Sequence, residues 1–412
     1  MLKTDRICVW IFIAVLALLL PSVKWLKPVD EMAALCLACL AMADCVVNGT
    51  WRRYRLLWVI MALLALYAAY SLTAVRYNTA YAVAVDYVIQ LKPFVPFAVF
   101  LAVAPRLTGS DRRLLRAIAI VNAATVCVIS CFSQSVVNSL IQHVSYVGLA
   151  AVLSFLTWLL CSVGPDGRIS SRDRATAFLL LAMGLPCGRS KFYGTCVVAL
   201  YFLTLYLRRS RPMPTRYQLL TGLTVGIIVA AVGWSKFRFY FIDMGSDLRN
   251  GGLESMARPA LYAAAALIMV SHVPFGSGLA SFASHASGEV HYSKIYYEYG
   301  LNNVYGLTPS EPDFVCDAFY PSLAQFGIAG LLLFAAFWFY IGTLLRRIRR
   351  LLPGGQALFA VAWTAILFIF IENIASTTFV QSAGLYCMMM LGMICSMAPE
   401  AVKTSTIHGY NP

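Results

Sequence analysis

An all-α, polytopic integral membrane protein with about a dozen transmembrane helices is what this sequence predicts, and three observations predict it. The chain is 60% hydrophobic and only 12% charged, with a mean hydropathy of +0.74; a water-soluble fold carries roughly twice that charged fraction. Apolar runs of roughly 17–25 residues recur from end to end, each long enough to cross ~30 Å of hydrocarbon. The loops between the runs alternate between arginine-rich and nearly arginine-free. Runs of this kind must be helical in lipid, because each segment has to satisfy its own backbone polar groups.

The apolar runs fall at about 7–25, 30–48, 55–75, 80–104, 114–133, 141–163, 174–187, 191–208, 218–241, 322–344, 354–372 and 379–398. The first follows Lys3 and Arg6 with no small-residue cleavage site after it, so it reads as a retained signal anchor. In the fourth, Lys92 precedes Pro93, with Pro96 one turn on; this spacing predicts a kink towards a polar interior. Basic residues gather in alternate loops: Arg52, Arg53 and Arg55; Arg106, Arg112, Arg113 and Arg116; Arg168, Arg172 and Arg174; Arg208, Arg209, Arg211 and Arg216; and Arg346, Arg347, Arg349 and Arg350. By the positive-inside rule these loops and both termini face the cytoplasm. The expected organisation is a bundle of about nine spans over residues 1–241, a large external loop over 242–321, and about three spans with a short tail over 322–412. Within the loop, Ala257–Val270 is apolar and helix-compatible but too short to span.

Composition also excludes several classes. The net charge of +14 would point to nucleic acid in a soluble protein, but here it sits in short topology-setting loops, so no nucleic-acid partner is expected. Among the twelve cysteines only Cys36 and Cys39 stand at CxxC spacing, inside an apolar run with no second Cys or His pair beside them, so no Cys/His metal spacing is read. Most lie inside apolar runs, where cysteine behaves as a small hydrophobe. Neither a metal nor a cofactor is called for. An alternating-access carrier with a 6+6 repeat would place its longest loop near the middle on the cytoplasmic side; the long loop here follows the ninth run and is external.

The residues that can carry chemistry collect on that external face: Arg189, Lys191, Arg258, His272, His285, His291, Lys294, Glu311, Asp313 and Asp317. Positive charge is disfavoured outside, so Arg189 and Lys191, in a tight turn between two short spans, and Arg258, in the long loop, stand out. Arginine forks can hold a diphosphate bidentately and meet the charge that grows on a leaving phosphate. A carboxylate or histidine nearby can take a proton from an attacking hydroxyl. Each residue also has a bland role: Arg189 snorkelling to headgroups, Arg258 anchoring an interfacial helix, His272 ending a helix before a Pro/Gly turn, Asp317 capping the tenth span. His285 and His291 read as solvated. Inside the membrane, Asp86, Lys92 and Glu372 are costly to bury and tend to face cavities. Glu372 is placed to pair with Arg189 or Arg258, and a structural ion pair is the competing role for all three.

Three blocks of sequence carry a resemblance. The first is Arg258-Pro-Ala-Leu-Tyr262, an apolar stretch, then His272-Val-Pro-Phe-Gly-Ser-Gly278; the second is Asp317-Ala-Phe-Tyr-Pro-Ser-Leu-Ala-Gln-Phe-Gly-Ile-Ala-Gly330; the third is the turn Gly188-Arg189-Ser190. In order, spacing and expected topology they resemble the O-antigen polymerase/ligase superfamily. Its members take a polyprenyl-diphosphate-linked glycan as donor, and the resemblance implies a diphosphate-binding role for Arg189 and Arg258. Lys191 joins them as a further candidate, with Asp317 and His272 as candidate catalytic groups and Glu372, Lys92 and Tyr262 in support. Ligases of this family carry a His-Asn pair where this chain has Cys316 and Asp317, which favours a polymerase over a His-based ligase.

The expected function is therefore a metal-independent glycosyltransferase of a bacterial inner membrane. It would join lipid-linked repeats into O-antigen, capsule or exopolysaccharide, with donor, acceptor and membrane lipids as partners and a chain-length regulator as a further candidate. The alternatives are an O-antigen ligase, a transporter or flippase, and a non-catalytic assembly subunit.

Overall fold

The computed structural model describes residues 4–26, 28–164, 167–206, 215–238 and 256–398. The basic run Arg208, Arg209 and Arg211, the first part of the 242–321 loop and the C-terminal tail lie outside the described residues. Within them the chain is helical, with no strand. In order, the helices are α1 (Thr4–Ala17), α2 (Leu19–Lys24), α3 (Val29–Asn48), α4 (Arg55–Tyr70), α5 (Ala80–Leu91), α6 (Phe94–Val103), α7 (Gly109–Ile129), α8 (Gln134–Ile141) and α9 (Ser145–Ser162). They continue with α10 (Ser171–Ala182), α11 (Ser190–Tyr206), α12 (Thr215–Phe237), α13 (Ala257–Ser271), α14 (Gly327–Leu351), α15 (Gly355–Glu372) and α16 (Ser382–Cys395).

Every apolar run contains a helix, but not every helix has span length. Four helical segments are long and apolar enough to cross a membrane among the described residues: Trp51–Val75, Ser145–Ser162, Gly327–Leu351 and Gly355–Glu372. A fifth is the α5–α6 pair, bent by 42°. The bend falls at Lys92-Pro93, where proline lacks the N–H that would continue the ladder. Other runs are interrupted or short: α1 has 14 residues, α10 has 12 and α16 has 14.

The spans divide by surroundings. Most of α9 and α15 is buried inside the protein, whereas most of the α4 segment and of α14 is not. The perimeter helices expose large apolar side chains, among them Leu66, Leu332 and Phe339. A soluble protein would be expected to cover such a belt, whereas hydrocarbon solvates it. At the centre, α16 is buried along its length, including Met388, Met389 and Met390. Tyr386 stacks on Phe12 with ring centroids 4.4 Å apart, and its hydroxyl meets Thr157 at 2.8 Å.

The segment from His272 to Phe326 folds over one end of this bundle and is pinned to it by polar contacts. Asp86, fully buried on α5, accepts the Ala280 amide at 2.7 Å, and Ser71 accepts the Leu279 amide at 2.7 Å. Asp86 also accepts from the Gln90 side-chain amide at 3.3 Å, so amides rather than a cation hold it. The two glycine-bearing blocks singled out in the sequence pack on each other: Ser277 donates to the Ala324 carbonyl at 3.2 Å, Gly278 to Gln325 at 2.9 Å, and Ala329 to Pro274 at 3.0 Å. Gly276 and Gly327 meet back to back at positive φ, 75° and 59°, and a Cβ on either overlaps the amide nitrogen of the other. Gly276→Ala is expected to destabilise the protein by about 2–5 kcal/mol, combining left-handed strain with overpacking. Gly188→Ala, at φ 63° in open space, should cost only about 1–2 kcal/mol. Thermal unfolding of the two variants in detergent measures the difference, and equal losses would refute the packing account.

Candidate functional site

Several separate parts of the chain build one cavity of about 1070 Å³. The first is the α10–α11 turn. Pro186 opens a 3-10 turn over Leu185–Cys187, Gly188 reverses the chain at φ 63°, and α11 starts at Ser190. That geometry sets Arg189 and Lys191 at the head of α11. The second is the start of α13, which brings Arg258 and Tyr262. The third is the Asp313–Asp317 stretch, clamped because Phe319 donates its amide to both Asn373 and Ser376 carbonyls at 3.1 Å. The fourth is the end of α15, with Glu372 and the residues that follow. His143 in the turn before α9, Tyr146 on α9 and Trp234 on α12 complete the wall.

Its ionic contacts are close and specific. Arg258 Nη2 lies 2.6 Å from Asp317 Oδ2, and Lys191 Nζ lies 2.6 Å from Glu372 Oε2. Glu372 thus pairs with Lys191, two residues after Arg189, and not with the arginine expected from sequence. Arg189 Nη2 approaches His143 Nε2 at 2.8 Å. Tyr262 donates its hydroxyl to the Ile374 carbonyl at 2.9 Å, which ties α13 to the end of α15. The ionisable lining is balanced, with Arg189, Lys191 and Arg258 facing Asp313, Asp317 and Glu372. Cys316 also lines the cavity, and burial pushes its thiol up; it stays protonated and makes a poor base.

The residues expected from sequence thus separate into two groups. Arg189, Lys191, Arg258, Asp317, Glu372 and Tyr262 come together, although Asp317 is no helix cap: a 3-10 turn over Tyr320–Gln325 intervenes and α14 begins only at Gly327. His272 and Lys92 do not line the cavity. His272 follows the far end of α13, about 20 Å from Arg258 at 1.5 Å per residue, and meets the Tyr77 hydroxyl at 2.9 Å. Lys92 holds Asp30 and Glu31, each at 2.7 Å. His143 escaped the sequence reading because it sits at the edge of an apolar run; its one signal was a titratable residue opening onto an arginine-free loop. No group of three or more His, Cys, Asp or Glu side chains is placed to hold a metal ion among the described residues.

Fold and site together define a class: an all-helical chain with apolar helices compatible with a membrane, and a cavity near one end of the bundle lined by paired charges. Comparison with known proteins adds no family to that class, since no family model and no curated protein matches the chain.

Proposed function

We propose that this protein is a membrane glycosyltransferase that polymerises polyprenyl-diphosphate-linked oligosaccharide repeats, with the cavity opening to the non-cytoplasmic side of a bacterial inner membrane. The observation that carries the reading is the convergence of Arg189, Lys191 and Arg258, from two distant segments, on one cavity. Its volume of about 1070 Å³ reaches the upper end of the 300–1,000 Å³ typical of small-molecule pockets, room for a sugar diphosphate beside an acceptor sugar. In this reading the twelve apolar runs all span or half-span the membrane, and the arginine-rich loops face the cytoplasm.

A diphosphate entering the cavity competes with the resident carboxylates for the same cations. Arg258 and Arg189 offer planar forks that grip two phosphate oxygens at once, and Lys191 adds a point charge. As the bond from the anomeric carbon to the diphosphate breaks, the negative charge collecting on the leaving oxygen is met by cations already in place, so little reorganisation is needed. Asp317 positions Arg258 for this through their 2.6 Å contact. Direct displacement inverts the anomeric configuration.

Further support comes from an apolar cavity of about 290 Å³ between α4, α6 and α14. It meets the charged cavity across one wall: Asp317 and Thr378 line the charged side, Phe319 and Phe379 the apolar side. A substrate with a charged head and a hydrocarbon tail suits that pairing.

Complementation tests the reading. A strain lacking the gene receives wild-type or Arg189→Ala protein at matched membrane levels, and its surface glycan is resolved by size. The expected result is a ladder with wild type and a single repeat on the lipid core with the variant. Long glycan stranded on its carrier in the deletion strain would instead identify a ligase. An unaltered ladder in that strain would overturn the glycosyltransferase reading and favour transport.

A further inference from the structure

The contact between Arg189 and His143 has no role in diphosphate binding alone. We propose that His143 takes the proton from the attacking sugar hydroxyl, its Nε2 lone pair being uncovered when a bound diphosphate draws Arg189 away; this rests on the glycosyl-transfer reading above.

The ring geometry supports a proton-free imidazole. Two N–H donors are aimed at it, Arg189 Nη2 at 2.8 Å from Nε2 and the Ser145 amide at 3.2 Å from Nδ1. An imidazolium has N–H groups at both positions and accepts nothing, so protonation sets donor against donor on both sides. A neutral ring satisfies one of the two, and the shorter, charged contact selects it. The lone pair is therefore on Nε2, under Arg189, with the ring proton on Nδ1. The side chain is exposed to the cavity, so substrate can reach it.

The surrounding charges act in the same direction. The α10–α11 turn brings Arg189 and Lys191; α13 brings Arg258; the loop before α14 brings Asp313 and Asp317; α15 brings Glu372, and α9 brings Tyr146. On α2, which packs beside α8, Lys24 is held by the Ser139 carbonyl. Burial holds the His143 pKa below the usual imidazole value, with Arg189 and then Lys191 adding to this and Asp317 opposing it. A diphosphate reverses the balance: its negative charge offsets both cations, raising the basicity of the ring as its lone pair is freed.

The step balances. A bond forms between the acceptor hydroxyl oxygen and the anomeric carbon, while the bond from that carbon to the diphosphate oxygen breaks and its electron pair leaves on the diphosphate. The hydroxyl proton passes to Nε2. Departure of the diphosphate restores the cationic field and the Arg189 contact, which expels that proton to water.

The test uses the purified full chain and membranes from a strain lacking the gene, whose lipid-linked repeats are the substrate. His143→Ala is expected to slow elongation at least ~100-fold, while binding of inorganic pyrophosphate changes less than about threefold, and added imidazole restores part of the rate. His143→Gln, which keeps an acceptor for Arg189, should bind pyrophosphate and remain slow, separating lost chemistry from misfolding. Activity needs the neutral ring, so wild-type kcat/KM should fall as pH drops through a value below about 6.5. In kcat, with donor bound, that acid limb should move to higher pH. A His143→Ala enzyme within about threefold of wild type with an unchanged acid limb, or one deaf to imidazole with pyrophosphate binding equally lost, overturns the assignment of His143. If wild type itself fails to lengthen the repeats, glycosyl transfer falls and the assignment with it.

Discussion

Replacing Arg258 with alanine is expected to cut elongation of lipid-linked repeats by on the order of 10²–10³-fold, the loss seen when one preorganised charge-stabilising donor is removed from a site. The residue heads α13 and reaches Asp317 at 2.6 Å, so its fork is held at the cavity wall before substrate arrives. Arg258→Lys keeps the charge and loses the planar, two-pronged grip, and should recover only part of the rate. Asp317→Asn leaves the guanidinium in place but less well aimed, so its defect should be smaller than that of Arg258→Ala. Rates on membranes carrying the accumulated repeat, at matched protein levels, give the order directly. Full activity in Arg258→Ala would remove the diphosphate clamp from consideration.

The second large effect is on stability. Lys92 sits at the break between α5 and α6 with 7% of its side chain exposed, and Asp30 shares that burial at 7%, whereas Glu31 is 51% exposed. Lys92→Met strands the Asp30 carboxylate in a poorly solvated place, at a cost of about 3–5 kcal/mol. Glu31 can turn to water and adds little to that cost. The double variant Asp30→Asn with Lys92→Met removes both charges and should recover most of the loss. Unfolding in detergent, followed by temperature, compares the three proteins; a single variant as stable as wild type would show that the pair contributes nothing. Because Lys92 lines neither the charged nor the apolar cavity, the protein that folds should retain its catalytic rate per molecule.

These two residues show what a sequence of this type makes legible. Arg258 and Arg189 could be picked out because a charge outside the basic loops of so apolar a sequence is rare, and rarity is visible in one dimension. Lys92 was visible for the same reason, yet its carboxylate partners lie at the head of α3, and nothing in the spacing joins position 92 to positions 30 and 31. The kink at Pro93 was readable because it follows from a missing N–H. Which partner Glu372 takes was not, since the direction in which α11 leaves its turn decides between Arg189 and Lys191, two residues apart. His143 was hidden for a different reason: a histidine at the rim of an apolar run looks the same whether it faces lipid headgroups or a guanidinium. The two glycine blocks were readable as a resemblance, but their meeting at Gly276 and Gly327 is a contact between backbones, which no side-chain pattern records. Span count is the least legible, because α1 and α16 are apolar like the long helices but stop short, and α10 opens on Arg172, Asp173 and Arg174.

If the proposed glycosyl transfer holds, the carboxylate pairing of Arg258 and Lys191 bears on how the cavity empties. A site holding three bare positive charges would grip a spent diphosphate and release it slowly, and the chain would stall after one addition. Here Asp317 and Glu372 are tethered rivals that recapture Arg258 and Lys191 the moment the phosphate loosens, at an effective concentration no soluble anion matches. In that reading the carboxylates would weaken the grip on substrate and product alike, and the gain would lie in the off-rate, which would set how many repeats are joined per minute once the chemistry is fast.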